Sequence, residues 1–143
     1  MSTPTNTDAM SVVAAMFEAF NRHDLDALAA LYAEDAVIES PDFEEPRRGP
    51  AGIRETYAPY FEASPDIQDD VTRMFGSGNL VAVEFVSHGT MTNLGPDDPE
   101  VMQDKAFAMN IAAVLEVRDG KIVRDVTYFD QLALLHQLGL ADE

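Results

Sequence analysis

The hydrophobic period of this chain changes at Ser64-Pro65-Asp66, and nothing else in the sequence restricts its fold so strongly. Ahead of that breaker most apolar residues recur at three- and four-residue steps, as on a helix face; behind it they alternate, as on a strand. From about Asp8, the side chains of Val12, Val13, Met16, Phe17 and Phe20 form one apolar face that ends near Asn21-Arg22-His23. Asp24 suits an N-cap, and Leu25, Leu28, Leu31 and Tyr32 carry the period through a second helix. Ala36 to Ser40 reads as a short strand stopped by Pro41. A third helix starts near Ala51, with Ile53, Tyr57, Tyr60 and Phe61 on its apolar side and Pro59 inside it, where proline should bend or truncate it.

Beyond the breaker, Val71, Arg73 and Phe75 share one side of a strand, and Gly76 to Asn79 reads as a hairpin turn. Leu80 to Thr90 forms a second strand. A proline- and aspartate-rich loop, Leu94 to Glu100, leads into a third over Ala106 to Val117, and Arg118-Asp119-Gly120-Lys121 turns into a fourth over Ile122 to Phe129. Long strands joined by hairpins predict an antiparallel meander. Helices first, strands after and a short terminal helix predict the α+β class, with one sheet face receiving the helices. Residues 1–7 are small and polar and are expected to fray, leaving 8–143 as a single domain.

In the strand Ala106 to Val117 the residues Phe107, Met109, Ile111, Ala113, Leu115 and Val117 alternate with neighbours that are also mostly small or apolar. Both faces therefore suit burial. One would take the helices and the other a second copy of the chain, which predicts a homodimer through the outer sheet face.

A net charge of -17, from 26 acidic and 9 basic residues, repels phosphate backbones and anionic membranes, so neither nucleic acid nor membrane is an expected partner. With no signal-like start and no membrane-length apolar run, a cytoplasmic protein is expected. Cysteine is absent, and His23, His88 and His136 never form an i, i+4 pair, so a metal site has no support.

The chain ends on a feature that suggests chemistry. Asp130 stands between the apolar strand ending Tyr128-Phe129 and a short leucine-rich helix closed by Gly139. A carboxylate held among such residues is poorly solvated, which raises its pKa toward the range where it can trade protons with an organic substrate. Asp130 is equally suited to capping that helix, and the two roles can coexist.

Phe20-Asn21-Arg22-His23-Asp24-Leu25-Asp26-Ala27-Leu28, Leu31 to Val37, Gly89-Thr90, Asp119-Gly120-Lys121-Ile122, and the closing aspartate followed after six residues by Gln137-Leu138-Gly139 stand in this order along the chain. Together they resemble the SnoaL-like polyketide cyclase and ketosteroid-isomerase-like group of the nuclear transport factor 2-like superfamily. The resemblance implies a cone: a strongly curved antiparallel or mixed sheet wrapped around three N-terminal helices, with a short C-terminal helix and an apolar cavity at the open end. It implies a cavity lining that includes Met16, Phe17, Phe20, Tyr32, Tyr57, Phe61, His88, Met109 and Tyr128.

Ketosteroid isomerases use an aspartate base and a tyrosine donor. Here those positions hold Ser40 and Met16, which disfavours that machinery. The cyclases carry a carboxylate at the end of the last strand, the place of Asp130, and often a histidine after the Gly-Thr pair. Here that residue is Met91, with His88 three positions earlier and, in a regular strand, on the opposite face. The resemblance thus implies a cofactor-free lyase or isomerase of polyketide-cyclase type, acting by aldol or enolisation chemistry on an apolar carbonyl-bearing molecule with Asp130 as general acid/base. Two alternatives are a non-catalytic binding or assembly module and, more remotely, an epoxide hydrolase using Asp130 and Arg124.

Overall fold

In a computed structural model the described residues are 5–141. Helix α1 (Thr5–Asn21) begins earlier than the expected Asp8, and the rest of the segment expected to fray lies outside the described residues. Asp24 caps α2 (Leu25–Ala30) by accepting a 3.0 Å hydrogen bond from the Ala27 amide. That helix does not run through Tyr32. Strand β1 (Tyr32–Glu39) starts there because Tyr32 pairs with Ile122 of the last strand, whose amide donates to the Leu31 carbonyl at 2.8 Å. A helix this short carries too few internal hydrogen bonds to compete with a sheet ladder.

A two-residue strand β2 (Arg47–Arg48) leads into α3 (Gly49–Ala63). Pro59 does not end α3, which continues past it to Ala63: it sits on the exposed side, where the carbonyl it leaves unpaired can meet water. The remaining strands are β3 (Gln68–Ser77), β4 (Leu80–Thr90), β5 (Ala106–Arg118) and β6 (Lys121–Phe129), followed by α4 (Gln131–Gln137). Asp119 and Gly120, at φ 52° and 78°, form the left-handed pair that a tight two-residue hairpin requires.

The six strands form one sheet in the order β2-β1-β6-β5-β4-β3. β3 to β6 are the expected antiparallel meander, while β1 runs parallel to β6 and makes the sheet mixed. Register shifts, with one extra residue in β3 and one in β6, supply the curvature. The shift in β3 also corrects the expected grouping of Val71, Arg73 and Phe75. Val71 pairs with Phe85 on the inner face, whereas Arg73 and Phe75 pair with Glu84 and Ala82 on the outer.

The concave face divides into two halves. At one end Val13, Leu28, Val81, Leu115 and Ile122 are almost wholly buried and pack solid against α1 and α2. At the other end, between α3, α4 and the ends of the strands, the interior is hollow. Gly89 admits the start of β3 to this end, since a Cβ there would lie 3.1 Å from the Ile67 Cα and from the Phe107 ring. On the convex face Val114, Tyr128, Phe75 and Leu80 stand exposed. Among the described residues no helix is long and apolar enough to cross a membrane.

Candidate active site

The hollow end encloses a cavity of about 260 Å³. Phe20 from the end of α1, Tyr57 from α3, Phe85 from β4, Phe107 and Met109 from β5 and Phe129 from β6 give it an apolar wall. Phe20 meets Tyr57 edge-on at 5.6 Å, which holds both rings in place. At the rim Ser40 donates to Asp42 at 2.6 Å, and Arg47 stacks over Phe43 at 3.9 Å while donating to Thr56 at 2.8 Å. Strand alternation explains the polar groups. Ser87 is two residues from Phe85 on β4 and Thr127 two from Phe129 on β6, so each faces inward with its aromatic neighbour.

The chemically distinctive group is Asp69. It is 8% exposed, lies on the cavity wall opposite Ser87 in the β3–β4 register, and among the described residues its Oδ1 has no hydrogen-bond partner. Burial pushes its carboxyl up to about 7; the Ser87 hydroxyl and the charge of His88 act against the rise, and Asp70 adds to it. An acid with a free oxygen lobe and a value near neutrality can take or give a proton at physiological pH. Burial, with Asp125 the next cause, raises Tyr57 well above the ordinary tyrosine value. Its hydroxyl thus stays protonated and can donate to a developing oxyanion.

A second buried acid lies behind the cavity. Asp125 is 4% exposed and accepts a 2.6 Å hydrogen bond from the Tyr32 hydroxyl, which also touches the Met16 sulfur at 3.2 Å. Burial raises Asp125 to about 6, with the Tyr32 and Thr127 hydroxyls tempering the shift.

Of the residues expected to line the cavity, Phe20, Tyr57 and Met109 do so. Met16, Phe17 and Tyr32 belong to the packed half: α1 turns Phe17 edge-on against Phe85, and Tyr32 points to Asp125. Phe61 sits behind Phe20 and stacks on His23 at 4.4 Å. His88 and Tyr128 are on the convex face, His88 paired with Asp70 at 2.9 Å and Tyr128 58% exposed, because both have outward strand parity.

Asp130 is not shielded as expected. It is exposed and accepts the Ala133 amide at 3.0 Å as the N-cap of α4, because β6 ends at Phe129 and the chain turns outward there. Arg124 is half-exposed beside Glu39, so Asp130 and Arg124 do not meet in the cavity. Asp69 went unread because it stands in the acidic run Asp66 to Asp70, which resembles a solvated strand entry. The available signal was its parity with Val71, which puts one acid of that run on the apolar side. Among the described residues no group of three or more histidine, cysteine, aspartate or glutamate side chains could hold a metal ion.

The SnoaL-like domain family model matches residues 13–125. IdmH of Streptomyces antibioticus, a candidate polyketide cyclase, is 32% identical with a TM-score of 0.76, over 92% of this chain and 98% of its own. A candidate polyketide cyclase of Xanthomonas campestris is 25% identical with a TM-score of 0.79, over 94% and 98%. A protein of ketosteroid isomerase-like fold from Catenulispora acidiphila, solved with trimethylamine, is similar in fold, at 23% identity and a TM-score of 0.75 over 91% and 93%.

Proposed function

The chain belongs to the SnoaL-like domain family, and from that membership we propose that it is a cofactor-free polyketide-cyclase-type lyase or isomerase whose proton carrier is Asp69. The family supports cyclase or isomerase chemistry in general. The observation that carries the assignment of the acid is the unpartnered Asp69 oxygen on the wall of an apolar cavity. Ionised Asp69 removes a proton from carbon next to a carbonyl, breaking the C–H bond. Tyr57 donates a hydrogen bond to the enolate oxygen. In an aldol closure the enolate carbon then bonds to a second carbonyl carbon of the same molecule, and protonated Asp69 returns its proton to the resulting alkoxide. Atoms balance with no co-reactant, and Asp69 ends as it began.

Among the described residues the lining contains aromatic rings, methionines, hydroxyls and carboxylates but no lysine, arginine or histidine. That composition favours a flat, apolar, uncharged carbonyl compound over an anion. The outer sheet face supports a homodimer. Its exposed apolar residues lie among ion pairs that cancel charge locally, Arg73 with Glu84 at 2.9 Å and Arg118 with Glu116 at 2.6 Å.

Hydrogen exchange at the α-carbon of 2-tetralone in D2O, followed by NMR, tests the assignment. Asp69→Asn is expected to slow enzyme-dependent exchange by about a hundredfold or more, the usual range for losing a general base. An equal rate in the variant overturns the role of Asp69. Met91, a thioether on the cavity wall where the cyclases often keep a histidine, favours the second reading, a binding module without chemistry. Saturable 2-tetralone binding with no enzyme-dependent exchange is the result that selects it.

A further inference from the structure

The connector between α1 and α2 grips the start of β3 at the residue that carries the proposed proton carrier. Among the described residues β3 is the outermost strand on its side of the sheet, so its outward backbone groups have no strand there to pair with. At Asp69 the side chain of Asn21 takes that place. Its Oδ1 accepts the Asp69 amide at 2.7 Å and its Nδ2 donates to the Asp69 carbonyl at 2.9 Å, the two bonds that an antiparallel neighbour would make. The Asn21 carbonyl accepts from Gln68 at 2.9 Å, and His23 donates from Nε2 to the Ile67 carbonyl at 2.8 Å. Ile67 and the first two residues of β3 are thereby tied to one turn.

The turn is itself rigid. Asn21 closes α1, His23 takes a left-handed conformation at φ 57°, and the Asp24 amide donates back to the Ala19 carbonyl at 3.0 Å. Phe61 stacks on the His23 ring from the α3 side. In a strand the direction of a side chain follows from the backbone, so a clamp on both the amide and the carbonyl of one residue sets where its carboxyl points.

We infer that Asn21 is a positioning residue: by standing in for a missing strand at Asp69 it holds that carboxyl inside the cavity and away from water. His23 supports the same segment two residues earlier, at the Ile67 carbonyl. The functional consequence rests on the proposed role of Asp69, whereas the placement of its carboxyl does not. Without the clamp the edge strand can rotate, water reaches the carboxyl, and the penalty for ionisation falls. The groups around Asp69 that bear on its titration are Ser87 and His88 on β4, Asp70 on β3 and Tyr57 on α3, and substitution at Asn21 removes none of them.

The experiment is carbon-13 NMR titration of Asp69 in the wild type, in Asn21→Ala and in Asn21→Ser, whose short uncharged side chain cannot span the Asp69 amide and carbonyl, alongside 2-tetralone exchange. In folded Asn21→Ala the Asp69 midpoint is expected to drop by about one unit, a tenfold change in proton affinity. Exchange should lose kcat with KM little changed. Asn21→Ser, read in the same way, decides the matter if the alanine variant does not fold. An Asp69 midpoint equal to wild type in a folded variant overturns the inference, even where melting temperature falls. A lowered midpoint with unchanged exchange upholds the positioning and counts only against Asp69 as proton carrier.

Discussion

The Tyr32 hydroxyl donates to the Asp125 carboxyl at 2.6 Å in the interior, joining the first residue of β1 to the strand that runs parallel to it. This pair ties sheet register to a titration. Burial lifts Asp125 from 3.8 to about 6, so between those values the folded protein keeps a proton that the unfolded chain has released. The stability it contributes is complete below the lower value and is lost as pH rises through the upper one. Asp125→Asn is expected to flatten this dependence between pH 4 and 7, where denaturant melts of wild type should show a decline on the order of 2 kcal/mol from this group. Tyr32→Phe should cost about 1–3 kcal/mol, because it leaves a buried acceptor without its donor.

Asp69 predicts a pH–rate profile. As a base it works ionised, so kcat/KM for 2-tetralone exchange should rise with pH and level off above about 7, the value to which burial pushes it. Stability runs the opposite way, since the buried carboxylate is costliest when charged. Asp69→Asn should therefore abolish the rise in rate while leaving the protein at least as stable at pH 8 as wild type. A profile with its midpoint near pH 4 contradicts a shielded base.

Asp130 supplies the contrast. As the exposed N-cap of α4 it satisfies the Ala133 amide. Asp130→Ala is expected to cost about 1 kcal/mol by chemical denaturation, and Asp130→Asn or Asp130→Ser to restore most of it. Exchange activity should be close to wild type in all three variants. A hundredfold loss in Asp130→Asn would return the acid/base role to this residue.

The convex face can be tested at its centre. Val114 is 40% exposed in the middle of β5 and beside β6. Val114→Lys would bury a charge in any dimer formed through this face. Multi-angle light scattering at micromolar concentration is expected to show a dimer for wild type and a monomer for the variant. A wild-type monomer would remove the proposal.

Parts of the site were legible and parts were not. Phe20, Tyr57 and Met109 could be found because each sits on an apolar face at the right period, and such faces turn inward wherever they are. Tyr32 also turns inward, but to the packed half, since its position follows from pairing with β6 and not from the α2 period. Asp130 and Asp69 exchange their expected environments. The first has greasy neighbours in sequence and water in space; the second has acidic neighbours in sequence and aromatic rings in space.

By itself the sequence determined the α+β class, the strand meander, its turns and the capped helices. Those features depend on spacing along the chain and on residues such as Asp24, Gly120 and Asp130 that act on their immediate neighbours. Tertiary structure alone decided which carboxyl is shut away from water and which end of the sheet stays hollow. The surroundings of a carboxyl are set by groups distant in sequence, here Asn21 on the Asp69 backbone and the Phe85 and Phe107 rings on the same cavity wall, and no local pattern encodes their convergence.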